Sequence, residues 1–146
     1  MKKIKKGFTL VELTLVMAVL GVLVTIVVSS YPNARKHARD SQRISDIKQY
    51  QAALEVYANA NNGSYPIGSG IDISTLCPAT LNLPICPNDP SGGSAIYSYS
   101  SDGRRFVIYT ALEARNAGSA QWFVVCSSGS SGNISTGPTG SSACPL

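Results

Sequence analysis

Few side chains in this sequence are equipped for chemistry, and the first is a carboxylate in an unfavourable place. Glu12 lies in Gly7-Phe8-Thr9-Leu10-Val11-Glu12, directly after a segment with lysines at positions 2, 3, 5 and 6 and at the head of a long apolar run. A lone glutamate in hydrocarbon is expensive, so its position asks for a cationic partner. The second group is four cysteines, Cys77, Cys86, Cys126 and Cys144, all downstream of the apolar run. A zinc site fits them poorly, because there is no Cys-x-x-Cys and the single histidine, His37, falls far upstream in helical sequence. Disulfides formed after export to an oxidising compartment fit better. Three pairings are open. Joining neighbours, Cys77 with Cys86 and Cys126 with Cys144, is preferred, because each closes a short local loop worth about 2.5–3 kcal/mol in loop entropy. Serines abound, but with His37 alone and distant no nucleophile–base pair forms, so the expectation is no enzyme, no cofactor and no metal.

These groups must be positioned by a chain of 146 residues, enough for one small exported domain once a leader and a membrane segment are set aside. From Phe8 to Val28 the only charge is Glu12, and the 21 residues meet the length of a membrane-spanning helix. Fourteen of them are Leu, Ile, Val or Phe. They contribute roughly −4 to −8 kcal/mol to insertion, against about +3 for an acidic residue at mid-bilayer and less near the end. Insertion therefore survives Glu12. Ser29-Ser30-Tyr31-Pro32 is a poor signal-peptidase site, so the run reads as an anchor. The formal charge of +4 is misleading, since the four leader lysines supply all of it and the remainder holds eight basic and eight acidic residues. A basic-partner reading of the pI is correspondingly weak.

Residues 8 to about 62 read as one long helix with an interruption, Pro32 being the expected kink and Gly21 a second weak place. Such a helix would be roughly 80 Å long, more than a small domain can cover. Its second half carries an apolar stripe of Ile44, Ile47, Leu54 and Ala58 with Tyr50 and Tyr57 beside it. Arg39, Asp40, Arg43, Asp46, Lys48 and Glu55 then form the opposite face, read as solvated first and as a surface between subunits second. Asn61-Asn62-Gly63-Ser64-Tyr65-Pro66 stops the helix. Residues 63–94 are expected to be a loop stapled by Cys77 and Cys86, with a turn of helix at Ile71 to Leu76. Three antiparallel strands follow over 95–126: Ala95 to Ser100, Arg105 to Leu112 across an Asp102-Gly103 turn, and Gln121 to Cys126 after a turn at Arg115 to Ser119. The Gly/Ser-rich tail, 127–146, is floppy unless Cys144 ties it down. The fold class is α+β, a long N-terminal helix packed on a small three-stranded sheet.

The basic leader, the Gly7-Phe8 junction, Thr9-Leu10-Val11-Glu12 and the amphipathic continuation together resemble the type IV pilin and pseudopilin superfamily, closely over residues 1 to about 66. The resemblance implies that residues 1–7 are a cytoplasmic leader removed by prepilin peptidase between Gly7 and Phe8. It further implies that Phe8 becomes N-methylated and that Phe8, Thr9 and Glu12 serve assembly. The Glu12 carboxylate would then pair with the Phe8 amine of a neighbouring copy, a pairing that low dielectric tolerates only in good geometry and that so rewards correct stagger. Residues 8–30 would form the transmembrane and assembly helix, and 31–146 the exported head. Arg39-Asp40 to Gly63-Ser64-Tyr65-Pro66 also looks like the major pseudopilin of type II secretion. The chain departs from that subunit in having four cysteines and no acid-rich calcium loop, Asp89 and Asp102 standing alone. The Cys126 to Cys144 tail is similar in character to the C-terminal disulfide loop of many pilins.

The expected function is a structural subunit of a type IV pilus-like filament, with a secretion or competence pseudopilin as the alternative. A monomeric membrane-anchored binding domain is the alternative of another class. Implied partners are other copies in a helical filament, prepilin peptidase, an inner-membrane assembly platform, minor pilins and membrane lipid. Location would be the cytoplasmic membrane, single-pass, before assembly, and a surface fibre or periplasmic pseudopilus afterwards. Nucleic acid is the least favoured partner: Arg104 and Arg105 could meet phosphates, but two arginines at a turn are ordinary surface. Asn133-Ile134-Ser135 matches a glycosylation acceptor pattern that is common by chance.

Overall fold

A computed structural model describes residues 7–92, 97–114, 121–138, 140 and 142–146. The four leader lysines, Ala95 and Ile96 of the expected first strand, and the expected turn at 115–119 lie outside the described residues. The chain divides into two compact units, Met1–Arg35 and Lys36–Leu146.

The first unit is the apolar part of α1, a helix that runs without a break from Leu10 to Ala60. The expected interruption at Pro32 is absent. Proline deletes one hydrogen bond, to the Val28 carbonyl, while the helical turns on either side are complete. Gly21 likewise sits inside the helix, with open space where a Cβ would go. Every side chain from Leu10 to Val28 is exposed within the single chain, and the segment is long and apolar enough to cross a membrane.

The second unit is an α+β head with five strands rather than three: β1 Gly68–Asp72, β2 Ser98–Ser101, β3 Phe106–Leu112, β4 Gln121–Cys126 and β5 Ser131–Ile134. They form an antiparallel meander in sequence order. The two added strands are the edges. β1 lies in the expected loop and β5 in the expected tail, both short and rich in Gly and Ser, so neither carries the apolar alternation by which strands are recognised. A short 3₁₀ turn, Ile73–Thr75, follows β1, capped by the Asp72 carboxylate accepting from the Ser74 N–H.

Alternation in β2–β4 sorts residues onto two sides of the sheet. Tyr97, Tyr99, Phe106, Ile108, Phe123 and Val125 pack with Ile47, Tyr50, Ala53 and Leu54 of α1, so the expected stripe is the core face. On the other side Val107, Tyr109, Val124 and Cys126 bury with Trp122 and Ile134. The chain beyond β5 is tied back at several points. Gly137 lies so close to the Trp122 ring that an added Cβ would meet it at 2.8 Å. Ser69 donates to the Gly140 carbonyl, Ser142 donates to Asp102, and Cys144 is bonded to Cys126. The tail is thus part of the fold. α1 ends as expected at Asn61-Asn62-Gly63, with φ of +56° and +77° at Asn62 and Gly63. Tyr65 then docks on the β2–β3 turn, its N–H bonded to the Gly103 carbonyl and its ring edge-on to Phe106.

The helix face expected to be wet contains the most buried charge among the described residues. Arg43 is 1% exposed and Asp40 5%. The Arg43 guanidinium donates to Asp89 at 2.6 Å, to Asp40 at 2.8 Å and to Ser91 at 3.2 Å, and pairs with Glu113 at 2.6 Å. Asp40 accepts the backbone N–H groups of Glu113 and Ala114, and Arg39 forks onto Glu113. Asp89, expected to stand alone, is therefore this arginine's partner. Further along the same face, Asp46 accepts the Tyr97 hydroxyl and Glu55 the Tyr65 hydroxyl, while Lys48 remains exposed. The cluster joins α1, the loop before β2 and the end of β3, three places far apart in sequence.

Removing the central cation leaves buried carboxylates without an answer. We expect Arg43→Leu to cost about 3–5 kcal/mol, read from denaturant unfolding of the full chain in detergent by Trp122 fluorescence. The pH limits follow from the same groups. The Arg39 hydrogen bond, then Arg43, holds the Glu113 carboxyl at about 2 against the cost of burial. Burial opposes ionisation of Asp89, but bonds from Arg43 and Ser91 outweigh it and lower its value. Both folded values lie below the unfolded ones, so their stabilisation is complete above the ordinary carboxylate range and is lost as pH falls toward 2. In the other direction burial raises Tyr50 and Tyr99 to about 12 and raises Tyr97 as well, with Asp46 adding to it. The unfolded chain releases these protons near pH 10 while the fold retains them, so melting temperature should be flat at neutral pH, fall below about 4.5 and fall again above about 10.

Candidate functional site at the start of the long helix

Thr9 is the residue before the first helical position of α1, and its Oγ1 accepts the backbone N–H of Glu12 at 3.2 Å. Its carbonyl accepts the N–H of Leu13 at 3.2 Å. This is an N-cap, satisfying donors that a helix start otherwise leaves open. Glu12 falls three residues after the cap, in the Thr-x-x-Glu pattern of a capping box. Its carboxylate also sits where the partial positive charge of the helix end favours an anion. Thr9 and Glu12 thus have a local role as well as the role implied by the resemblance. The Thr-x-x-Glu spacing at 9–12 was the signal for it, and reading the acid only as a membrane anomaly passes over it.

The remaining site residues lie open. Gly7 precedes the helix, and a Cβ placed on it would meet nothing within 4 Å. Phe8 is 77% exposed. Glu12 is exposed, and among the described residues its carboxylate has no hydrogen-bond or ion-pair partner. The Gly7-Phe8 peptide is therefore uncovered, and the one acid of the apolar segment is unanswered among the described residues.

The other expected sites belong to the head. Cys77 is bonded to Cys86 and Cys126 to Cys144, the neighbour pairing, one closing the loop after β1 and one fastening the tail to β4. Arg105 pairs with Asp102 at 3.4 Å in the β2–β3 turn. The N–H groups of Arg105 and Arg104 hold the Asp102 carboxyl at about 2, so this acid serves its turn. His37 and Asn133 are exposed. Among the described residues no three His, Cys, Asp or Glu side chains gather as a metal site would require.

Residues 2–28 match the prokaryotic N-terminal methylation motif. Over 115 residues the chain is 31% identical to type II secretion system core protein G of Dickeya chrysanthemi, covering 71% of this chain and 73% of that protein. It is 30% identical to type II secretion system core protein G of Aeromonas hydrophila over 61% of this chain and 58% of the relative. It is 38% identical to type IV major fimbrial protein FimA of Dichelobacter nodosus over 55 residues, 38% of this chain and 35% of that protein. No solved structure matches it significantly.

The cap is open to direct measurement. We expect Thr9→Val to cost about 1 kcal/mol locally, read as roughly fivefold faster amide exchange at Glu12 in micelles, with Thr9→Ser close to the parent.

Proposed function

The chain belongs to the type IV pilin and type II secretion pseudopilin superfamily, and on that premise we propose that it is a structural subunit of a type IV pilus-like filament. In this reading residues 1–7 are a leader cut by prepilin peptidase, Phe8 carries the new and methylated amine, and residues 8–30 pack copies together. Cleavage licenses assembly: before it no cation stands at Phe8, and after it the amine of one copy meets Glu12 of another. The observation that carries the proposal is a carboxylate with no partner among the described residues, at the start of an apolar helix that those residues leave uncovered. Lipid covers that surface before assembly and neighbouring helices afterwards. Partners are other copies, prepilin peptidase, a membrane assembly platform and minor pilins, at the cytoplasmic membrane first and in a fibre outside it later.

A second reading, a pseudopilin of a type II secretion or related system, draws support from the length of the match. The core protein G relative aligns over 71% of this chain and the fimbrial one over 38%. Microscopy of cells with and without the chain separates the two, a surface fibre marking the first and a short periplasmic one the second.

Mass analysis of the mature amino terminus is expected to give N-methyl-Phe8, and an intact Met1 would leave only the uncleaved anchor. Glu12→Leu should enter the membrane and be processed normally while filament yield falls at least tenfold, as expected for about 1.4 kcal/mol or more lost per contact. Parental yield from that variant would refute the pairing.

A further inference from the structure

Among the arginines of α1, Arg39 and Arg43 are answered by carboxylates. Arg35 has no carboxylate partner among the described residues. Its guanidinium instead lies over the Tyr31 ring, 5.6 Å from the centroid, and both residues are exposed. The pair sits at a particular height. From Leu10 to Val28 the helix rises about 27 Å at 1.5 Å per residue, close to the thickness of a bilayer's hydrocarbon core. Tyr31 is then about 4.5 Å beyond the core and the Arg35 backbone about 10 Å beyond it. The headgroup layer is roughly 5–8 Å deep on each side. Helical side chains lean toward the N-terminus, which brings the Arg35 guanidinium back one turn, and the stacking on Tyr31 places it at the level of that ring.

An aromatic ring at headgroup level is the usual interfacial anchor. A cation on the exported side works against the inward bias of positive charge that orients membrane segments, so its presence there calls for a use. A guanidinium offers a planar fork of donors matched to a phosphate, and its contact with the ring favours positions of that fork beside Tyr31.

We propose that Tyr31 and Arg35 form a binding site for the phosphate of an anionic phospholipid in the outer leaflet of the membrane, occupied while the subunit waits in the bilayer. The ring rests among the glycerol and acyl ends, and the guanidinium donates two N–H groups to the phosphate. The site fixes how far the helix protrudes, and so the height at which Glu12 and Phe8 stand on the opposite side of the membrane. This inference rests on the reading of residues 8–28 as a membrane span.

The test uses the full chain in vesicles of phosphatidylethanolamine with a minority of phosphatidylglycerol, extracted in mild detergent and weighed with its retained lipid by native mass spectrometry. Phosphatidylglycerol should be enriched about fivefold over its share, from the attraction of one guanidinium near an anionic surface. Arg35→Gln should abolish the enrichment, Tyr31→Ala should reduce it, and Lys48→Gln, an exposed cation further along α1, should leave it unchanged. Failure to enter the vesicles overturns the membrane reading and the site with it. Entry with no enrichment, or enrichment unaltered in Arg35→Gln, overturns the site alone. Displacement of the lipid by millimolar inorganic phosphate would also overturn it, marking a general anion site. So would normal lipid retention in Arg35→Gln with reduced filament yield, which assigns the pair to a contact between copies.

Discussion

A helix that is apolar on every side cannot be satisfied by its own chain, and the rest of this protein follows from that constraint. From Leu10 to Val28 none of the described residues covers α1. Surface of that kind has to lie in lipid or against other helices, and a chain that moves between those two environments needs interactions that differ between them. In the proposed filament Glu12 is such an interaction. In a single copy its benefit is local, through the helix dipole and the Thr9 cap, which makes the acid tolerable near the membrane edge. Between copies it can be answered in full by an amine. In that proposal the same group permits the waiting state and favours the assembled one.

The later part of the same helix works under the opposite rule, because its surface is covered by the head. The stripe from Ile47 to Ala58 is buried by aromatic residues of the sheet, and beside it the Arg43 cluster draws three distant segments together. Such a cluster is weak evidence for net stability, since desolvation offsets much of the Coulomb gain. Its clearer contribution is to placement: Arg43 has four polar partners, and few alternative packings of the loop before β2 could supply all of them. Around β5 a covalent bond supplements the packing. A Gly/Ser-rich strand and tail bring little apolar area of their own, and the Cys126–Cys144 bond holds them where packing alone is thin.

Much of this could be read from the residues because it is local. An apolar run of membrane length, a Thr-x-x-Glu start, an Asn-Asn-Gly stop and the alternation in β3 and β4 each announce themselves within a few positions. What could not be read is what depends on meetings across the chain. β1 and β5 are strands only because β2 and β4 offer them free edges, and their own side chains carry no alternating signal. Asp40 and Arg43 look like solvated charges at an ordinary helical spacing until Asp89 and Glu113 arrive from 46 and more residues away. The continuity of α1 through Pro32 has a related reason, since it rests on the turns around that residue and not on the one bond it lacks.

The sequence by itself determined where the apolar span begins and ends, where its single acid stands, and which cysteines are close enough in the chain to close short loops, because each depends on composition and spacing along one line. Only the tertiary structure decided which charges on α1 are buried, how many strands the sheet has, and that the tail is part of the fold. Burial and pairing are properties of neighbours in space, and in the head those neighbours come from segments that the chain keeps far apart.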